Sequence, residues 1–414
     1  MNHSFQSVGS FGIVFLCILI VGITGCENPG SVGSGLSGPG GEVETDTLFL
    51  DGVESISTPS YSGAQNYYSA GQFDDPLFGN LLATGFVKPG LLAPNDTAKV
   101  MQENATMLMR IKLDNEQVYG DSTADQQFSI YEVKDLWRGR ALKVNDDLAI
   151  DQNKKLGEFT VGFTDSLDVN LSGMAPDWVN RYRQYTDTTN ADSTYKYGMS
   201  GLALVPENSN KIVPIDIQAS SFVIQNPEAD TFSVGSNQWG YTLQRDSDTS
   251  IPQGSTPFYS TYEQVLHFTD IGLSELDLSV TGLSRAEMIF RQNTSIMEQT
   301  LESASFRASR PQERTVYLHL ANPANIPENI DPGAPLDNFA RVQGVYLPSD
   351  GSYRFNITNM IGRILQEGFP KGKEFFVTFP NDGVIKPGLV YTDSDGVSPE
   401  LKPKIIITSL KNQQ

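Results

Sequence analysis

The chain has 414 residues, 39% of them hydrophobic, 10% aromatic and 19% charged, and 49 Asp and Glu against 29 Lys and Arg give a net charge of −20. Such a surface repels phosphate backbones and anionic membrane faces, which excludes nucleic acid as a partner and disfavours tight binding of polyanionic glycans. Two Cys and three His exclude a disulfide framework and leave little material for a zinc site. At roughly 150 residues per domain the length predicts about two domains.

The first element in chain order is an apolar run, Phe11 to Gly25, the length of a signal-peptide core and short of the roughly 20 residues that span a bilayer. It leads into Gly22-Ile23-Thr24-Gly25-Cys26, which resembles the bacterial lipobox. The resemblance implies cleavage before Cys26 and diacylglycerol on its sulfur. Residues 1–10 depart from the pattern by lacking Lys and Arg, and an ordinary signal peptide with a chance Cys is the alternative. Cys17 lies in the segment to be removed, so the mature chain keeps one Cys. A Gly/Ser/Pro-rich stretch, Asn28 to Gly41, then predicts a flexible tether with about 20 Å of play. The expected order is a signal peptide over 1–25, a tether over 26–43, and two domains over 44–225 and 226–414. Its setting is the cell envelope, with the outer membrane favoured, and its membrane partner is held through Cys26.

From Asp46 onward apolar and polar residues mostly alternate, the mark of half-buried strands. Met107, Met109, Ile111 and Leu113 alternate with Thr106, Arg110 and Lys112, and Val316, Leu318 and Leu320 with Tyr317 and His319. Phe375, Val377 and Phe379 form a third set, and Asn381-Asp382-Gly383 marks a turn. Long helical patterns are absent. The fold class is all-β, with antiparallel sandwich spacing.

The strand pattern is written twice. Leu167 to Met174 and Tyr353 to Met360 share a strand followed by a short helical run, pairing Asn170 with Asn356, Ser172 with Thr358 and Met174 with Met360. Ser172 and Thr358 are the expected N-caps, and Gly368 the expected close of the second helix. Leu202 to Asn208 matches Phe376 to Asp382, Ala105 to Arg110 matches Ala286 to Arg291, and Phe128 to Leu136 matches Thr315 to Pro323. A tandem duplication with its joint near Gln225 to Asp230 accounts for this order.

The repeated order resembles the DNRLRE-type β-sandwich module, which is related to carbohydrate-binding jelly rolls. The likeness is carried by Leu167–Trp178 and Tyr353–Ile364. Gly71 to Gly79 (GQFDDPLFG) resembles a motif of an uncharacterised bacterial lipoprotein family with a domain of unknown function. Within it Asp75-Pro76 sets a turn, Gly79 allows a positive φ, and Phe73 and Phe78 pin the loop to the core. The resemblance implies two tandem jelly-roll-like sandwiches, each with one short helix, and glycan binding or adhesion.

No nucleophile motif is visible; Gly198-Met199-Ser200-Gly201 lacks the spacing of a nucleophile elbow. His267 and His319 fall in strands, as solvent-facing or hydrogen-bonded residues. Asp393-Ser394-Asp395-Gly396 opens like a calcium loop, yet Lys404 stands where position twelve needs Glu. A looser calcium site at Asp246, Asp248, Asp393 or Asp395 is the alternative to polar turns, and no other cofactor is expected. Aromatics remain. Sugar rings stack on flat Trp and Tyr faces, so Trp239, Tyr241, Tyr67, Tyr68, Tyr259 and Tyr262, in polar surroundings, are the ligand-binding candidates. Trp137 and Trp178 follow the apolar periodicity of a core. The sequence thus predicts a non-catalytic, lipid-anchored binder of neutral glycans. The alternatives are an adhesion scaffold that binds another envelope protein, and a polysaccharide-degrading enzyme.

Overall fold

The computed structural model describes residues 41–90, 102, 105–171, 195, 197–227, 231–246, 251–261, 265–270, 282–302, 308–327, 341–368 and 372–412. Cys26, Trp178, Ser172, Asp248 and Tyr262, and with them the signal peptide, the anchor and the first of the two expected helices' N-cap, lie outside these residues.

The chain is mostly β, and every ladder among the described residues is antiparallel. The first twelve strands are β1 (Gly41–Phe49), β2 (Asp51–Ile56), β3 (Tyr67–Asp75), β4 (Gly79–Pro89), β5 (Thr106–Lys112), β6 (Tyr119–Asp121), β7 (Gln126–Val133), β8 (Ile150–Val161), β9 (Ser166–Asn170), β10 (Leu202–Pro206), β11 (Lys211–Asp216) and β12 (Ser221–Gln225). The next twelve are β13 (Phe232–Val234), β14 (Ser236–Arg245), β15 (Ser255–Tyr259), β16 (Val265–Asp270), β17 (Leu283–Arg291), β18 (Ala308–Ser309), β19 (Thr315–Ala321), β20 (Val342–Leu347), β21 (Ser352–Asn356), β22 (Glu374–Thr378), β23 (Pro387–Tyr391) and β24 (Lys404–Asn412). Two helices, α1 (Thr294–Glu302) and α2 (Thr358–Glu367), interrupt the second set. No helix among the described residues is long and apolar enough to cross a membrane.

A nine-stranded sheet runs β1-β24-β17-β21-β20-β19-β22-β16-β2. The earlier strands repeat that order as β13-β12-β5-β9 and then β8-β7-β10-β4-β14, with no ladder joining β9 to β8. Register repeats as well. Leu202, Ala203 and Leu204 lie opposite Glu132, Tyr131 and Ile130; Phe376, Val377 and Thr378 lie opposite His319, Leu318 and Tyr317. These are the equivalences expected from the sequence. One ladder departs from them: Asn170 faces Leu108, whereas Asn356 faces Glu287, a slip of two residues. An even slip leaves each side chain on its own face of the sheet, so the core tolerates it.

The outermost strands cross over between the halves. β1 and β2 pair with β24 and β16 of the second half, while β13 and β14 pair with β12 and β4 of the first. A boundary at 225/226 therefore does not separate the ladders. Further contacts bind the halves: β18 pairs with β6, Asn381 Nδ2 donates to Ser60 Oγ, and Ser69 Oγ donates to Gly383 O at 2.7 Å.

Two large apolar cores result. One gathers Phe73, Met107, Met109, Ile111, Phe128 and Leu204, and the other Met288, Phe290, Leu318, Phe355, Phe375 and Ile405. The alternation expected of β5 holds: Met107, Met109 and Ile111 are buried and Thr106 and Arg110 exposed. The sharp turn after β3 also forms as the sequence implies. Asp75 Oδ1 accepts the N–H groups of Leu77 and Phe78, and Gly79 has φ +80°.

Two expectations need correction. Thr358 is not an N-cap: Ile357 holds that position without a side-chain bond, and Asn356 Oδ1 accepts from Thr358 N and Oγ. The Thr358 hydroxyl is instead taken up by Ala286 N–H at 2.9 Å. Gly368, with φ +81°, does end α2. The second half holds two helices rather than one, because Asn293 Oδ1 accepts from Ile296 N–H and starts α1. His319 takes the second of the two settings expected for it, a hydrogen-bonded strand residue: it is buried, with Nε2 3.0 Å from Thr378 Oγ1.

Candidate functional site

The segment between β7 and β8 (134–149) borders two adjoining depressions. Its anchor is Trp137, buried against Phe86 at 6.0 Å, with its indole N–H donating to Ser200 O. Lys88, also buried, donates to Trp137 O at 2.7 Å and stands 4.9 Å from the ring centroid. Removal from water lowers the Lys88 pKa to about 8. The core placement expected for Trp137 is met.

Anchoring Trp137 carries the following residues outward. Arg138 precedes a short 3₁₀ turn, Gly139–Ala141. That turn lies against β14 and the loop after β2 at glycine contacts: a Cβ on Gly63 would lie 1.4 Å from Gly139 O. Gly139 N–H donates to Gln238 Oε1 at 3.1 Å. Trp239 is half-buried on β14, and its indole N–H donates to Gln65 O at 2.7 Å. Arg138, Arg140, Gln238 and Trp239 line an open depression of about 680 Å³. Arg138 also borders a second one of about 610 Å³, lined by Leu136, Trp137, Asp146 and Tyr197. The Arg138 guanidinium stacks 4.2 Å from the centre of the Tyr197 ring, which is 49% exposed.

Of the sequence candidates among the described residues, Trp239 alone belongs to these depressions. Tyr68 (on β3), Tyr241 (on β14) and Tyr259 (on β15) are corrected to core residues, buried to 2% exposure or less. Tyr68 has no partner for its hydroxyl and a pKa raised far by burial. Tyr241 OH reaches Asn381 Oδ1 at 3.3 Å, and Tyr259 packs edge-on against Phe78. None of the three offers a face to a sugar. Tyr67 is half-buried at the seam between the halves, where its hydroxyl donates to Asp114 Oδ2 at 3.2 Å; burial and that carboxylate raise its pKa. Trp239 lies on a strand rather than in a loop.

Residues that the sequence reading passed over are Arg138, Arg140 and Tyr197. A signal existed for two of them, since Trp137-Arg138-Gly139-Arg140 puts paired cations beside a tryptophan in an acidic chain. Tyr197 carries no such mark.

Charged clusters lie elsewhere, two of them between neighbouring strands. Lys386 Nζ bonds Glu313 Oε2 (3.2 Å) and Asp382 Oδ2 (2.7 Å), while Glu313 Oε1 accepts the N–H groups of Arg314 and Thr315. Burial raises the Glu313 pKa, against the pull of Lys386. Every oxygen of Glu313 is satisfied, so the cluster acts as a strut between strands. His267 stacks on Phe376, with Nδ1 2.9 Å from Glu54 Oε1 and Nε2 against Glu374, joining β2, β16 and β22. Among the described residues no three His, Cys, Asp or Glu side chains gather as a cation cage. At Asp393 the backbone carbonyl accepts from Lys402 Nζ at 2.7 Å, within a polar turn.

No known family and no curated protein matches the chain. A solved structure of the Macrobrachium rosenbergii nodavirus is similar at 8% identity, over 99% of this chain and 95% of that one, with a TM-score of 0.14. That likeness carries no argument about fold or function.

Proposed function

We propose that the chain is an exported, lipid-anchored protein of the cell envelope, with the outer membrane favoured, and that it binds largely neutral glycans without catalysis. The observation that carries the reading is the Trp239 depression: a half-exposed indole beside hydrogen-bonding side chains, on a floor of strands and a glycine-held turn. A stacking face with a few fixed polar groups is what a sugar ring requires. The lipobox-like Cys26 and the glycine-rich tether support the envelope setting. The repeated strand order supports an internal duplication of a DNRLRE-like sandwich module, its outermost strand pair exchanged between copies.

A glycan panel, screened against the full chain with and without calcium, tests the reading. Saturable binding is expected, and Trp239→Ala is expected to cost on the order of 1–3 kcal/mol of affinity. A folded sample that binds no glycan would overturn it.

One observation favours a second reading, an adhesion scaffold for another envelope protein. Val43 on strand β1 and its cross-strand partner Leu410 are 59% and 42% exposed, an apolar pair on an edge that is unpaired among the described residues. Capture of one defined envelope protein, lost in Val43→Lys, would favour the scaffold.

A further inference from the structure

We infer that the Trp239 depression takes a carboxylated sugar, a uronate, within an otherwise uncharged glycan; this rests on the glycan-binding reading. The argument is one of charge. Acidic side chains outnumber basic ones 49 to 29, yet the lining of this depression contains no carboxylate. Two arginines, Arg138 and Arg140, border it from either side of Gly139, both exposed. Neither forms an ion pair among the described residues; the Arg138 guanidinium lies over the Tyr197 ring. Three other exposed arginines are neutralised, Arg110 by Asp168, Arg285 by Glu287 and Arg363 by Glu367; the exposed Arg314 forms no ion pair among the described residues, but it stands alone rather than as one of two. An unneutralised pair on an acidic protein marks a place where the ligand brings the negative charge.

The geometry suits one carboxylate. With its guanidinium carbon 4.2 Å over the Tyr197 ring and no ion pair among the described residues, Arg138 keeps N–H groups with which a guanidinium can grip two carboxylate oxygens at once. The turn that carries both arginines is pinned at Gly139 by Gln238 and by the close approach of Gly63, so little motion is lost on binding. A sugar ring stacked on Trp239 would place its carboxylate toward that turn. In the adjoining depression Asp146 Oδ2 accepts Lys143 N–H at 2.8 Å. Beyond the two arginines the net charge of −20 repels a second and third carboxylate, so an isolated uronate is favoured over a dense polyanion.

Calorimetry of the full chain with a uronate-containing oligosaccharide and its carboxyl-reduced counterpart tests this. The wild type is expected to prefer the uronate by about tenfold, the scale of one charge-assisted hydrogen bond, and less at high salt. Arg138→Gln and Arg140→Gln are expected to bring that ratio toward one, whereas Trp239→Ala weakens both ligands. Equal wild-type affinities, or arginine variants that keep the preference, overturn the uronate assignment and leave the glycan reading standing. Failure of the wild type, with an unchanged thermal transition, to bind either sugar overturns both.

Discussion

Arg310 and Asp75, 235 positions apart, form a buried bidentate pair: Nε to Oδ2 and Nη2 to Oδ1, both at 2.7 Å. Asp75 also accepts from Tyr119 OH at 2.8 Å and from two backbone N–H groups of its own turn. Arg310 further donates to Met297 O and lies over the Phe78 ring. The pair ties the turn after β3 to the end of α1, and thus one half to the other. Removing one partner strands a buried charge. Arg310→Met is expected to cost about 3–5 kcal/mol, read as a lowered midpoint in urea unfolding; a shift under 1 kcal/mol would show the pair to be incidental.

Gly63 supports the Trp239 depression from behind its turn. Any side chain there meets Gly139 O, so Gly63→Ala must push the Arg138–Arg140 turn off β14. Overpacking of this kind costs about 1–3 kcal/mol. The more telling result is a changed Trp fluorescence together with weakened glycan affinity; retained affinity would detach the turn from the site.

His319 predicts a pH dependence. Burial, with Arg341 adding to it, lowers its pKa to about 4 from the ordinary 6.5, and Nδ1 has no partner. The unfolded chain therefore binds the proton first as pH falls. Stability is unaffected above about 6.5 and falls from there to about 4, by up to about 3 kcal/mol. The stability difference between wild type and His319→Gln should carry that slope between pH 7 and 4. A flat difference would mean that water reaches the ring.

Tyr68 carries a buried hydroxyl without a partner. Deleting it relieves a desolvation cost of about 1–3 kcal/mol, so Tyr68→Phe should raise the melting temperature. Glycan affinity should be untouched, since the ring faces the first core. Destabilisation by the change would point to a water bonded there.

The strands were legible because one face of each is buried: the alternation through Met107, Met109 and Ile111 has no other stable outcome. The repeat was legible for the same reason, down to the register of Leu204 on Ile130 and Thr378 on Tyr317. Pairing partners at the sheet edges were not. Nothing local in β1 or β13 distinguishes one half's edge from the other's, so the crossing-over is decided by long-range contacts. Among the aromatics, polar neighbours at Tyr241 and Tyr259 suggested loops, but those neighbours belong to strands whose hydrogen bonding is already met. The site's arginines went unread because an exposed cation has meaning only once its missing counter-charge is seen in space.

The crossing of the outermost strands makes the chain a mutual clasp. A protease that nicks the joint between Gln225 and Thr231 severs the backbone but releases neither piece. The leading fragment keeps β1 and β2 riveted into the second sheet, and the trailing fragment keeps β13 and β14 riveted into the first. Parting them would bare five ladders among the described residues at once, the short β18–β6 ladder included. If its N-terminal end were held to a surface, as proposed above, the whole molecule would be retained, cut or uncut.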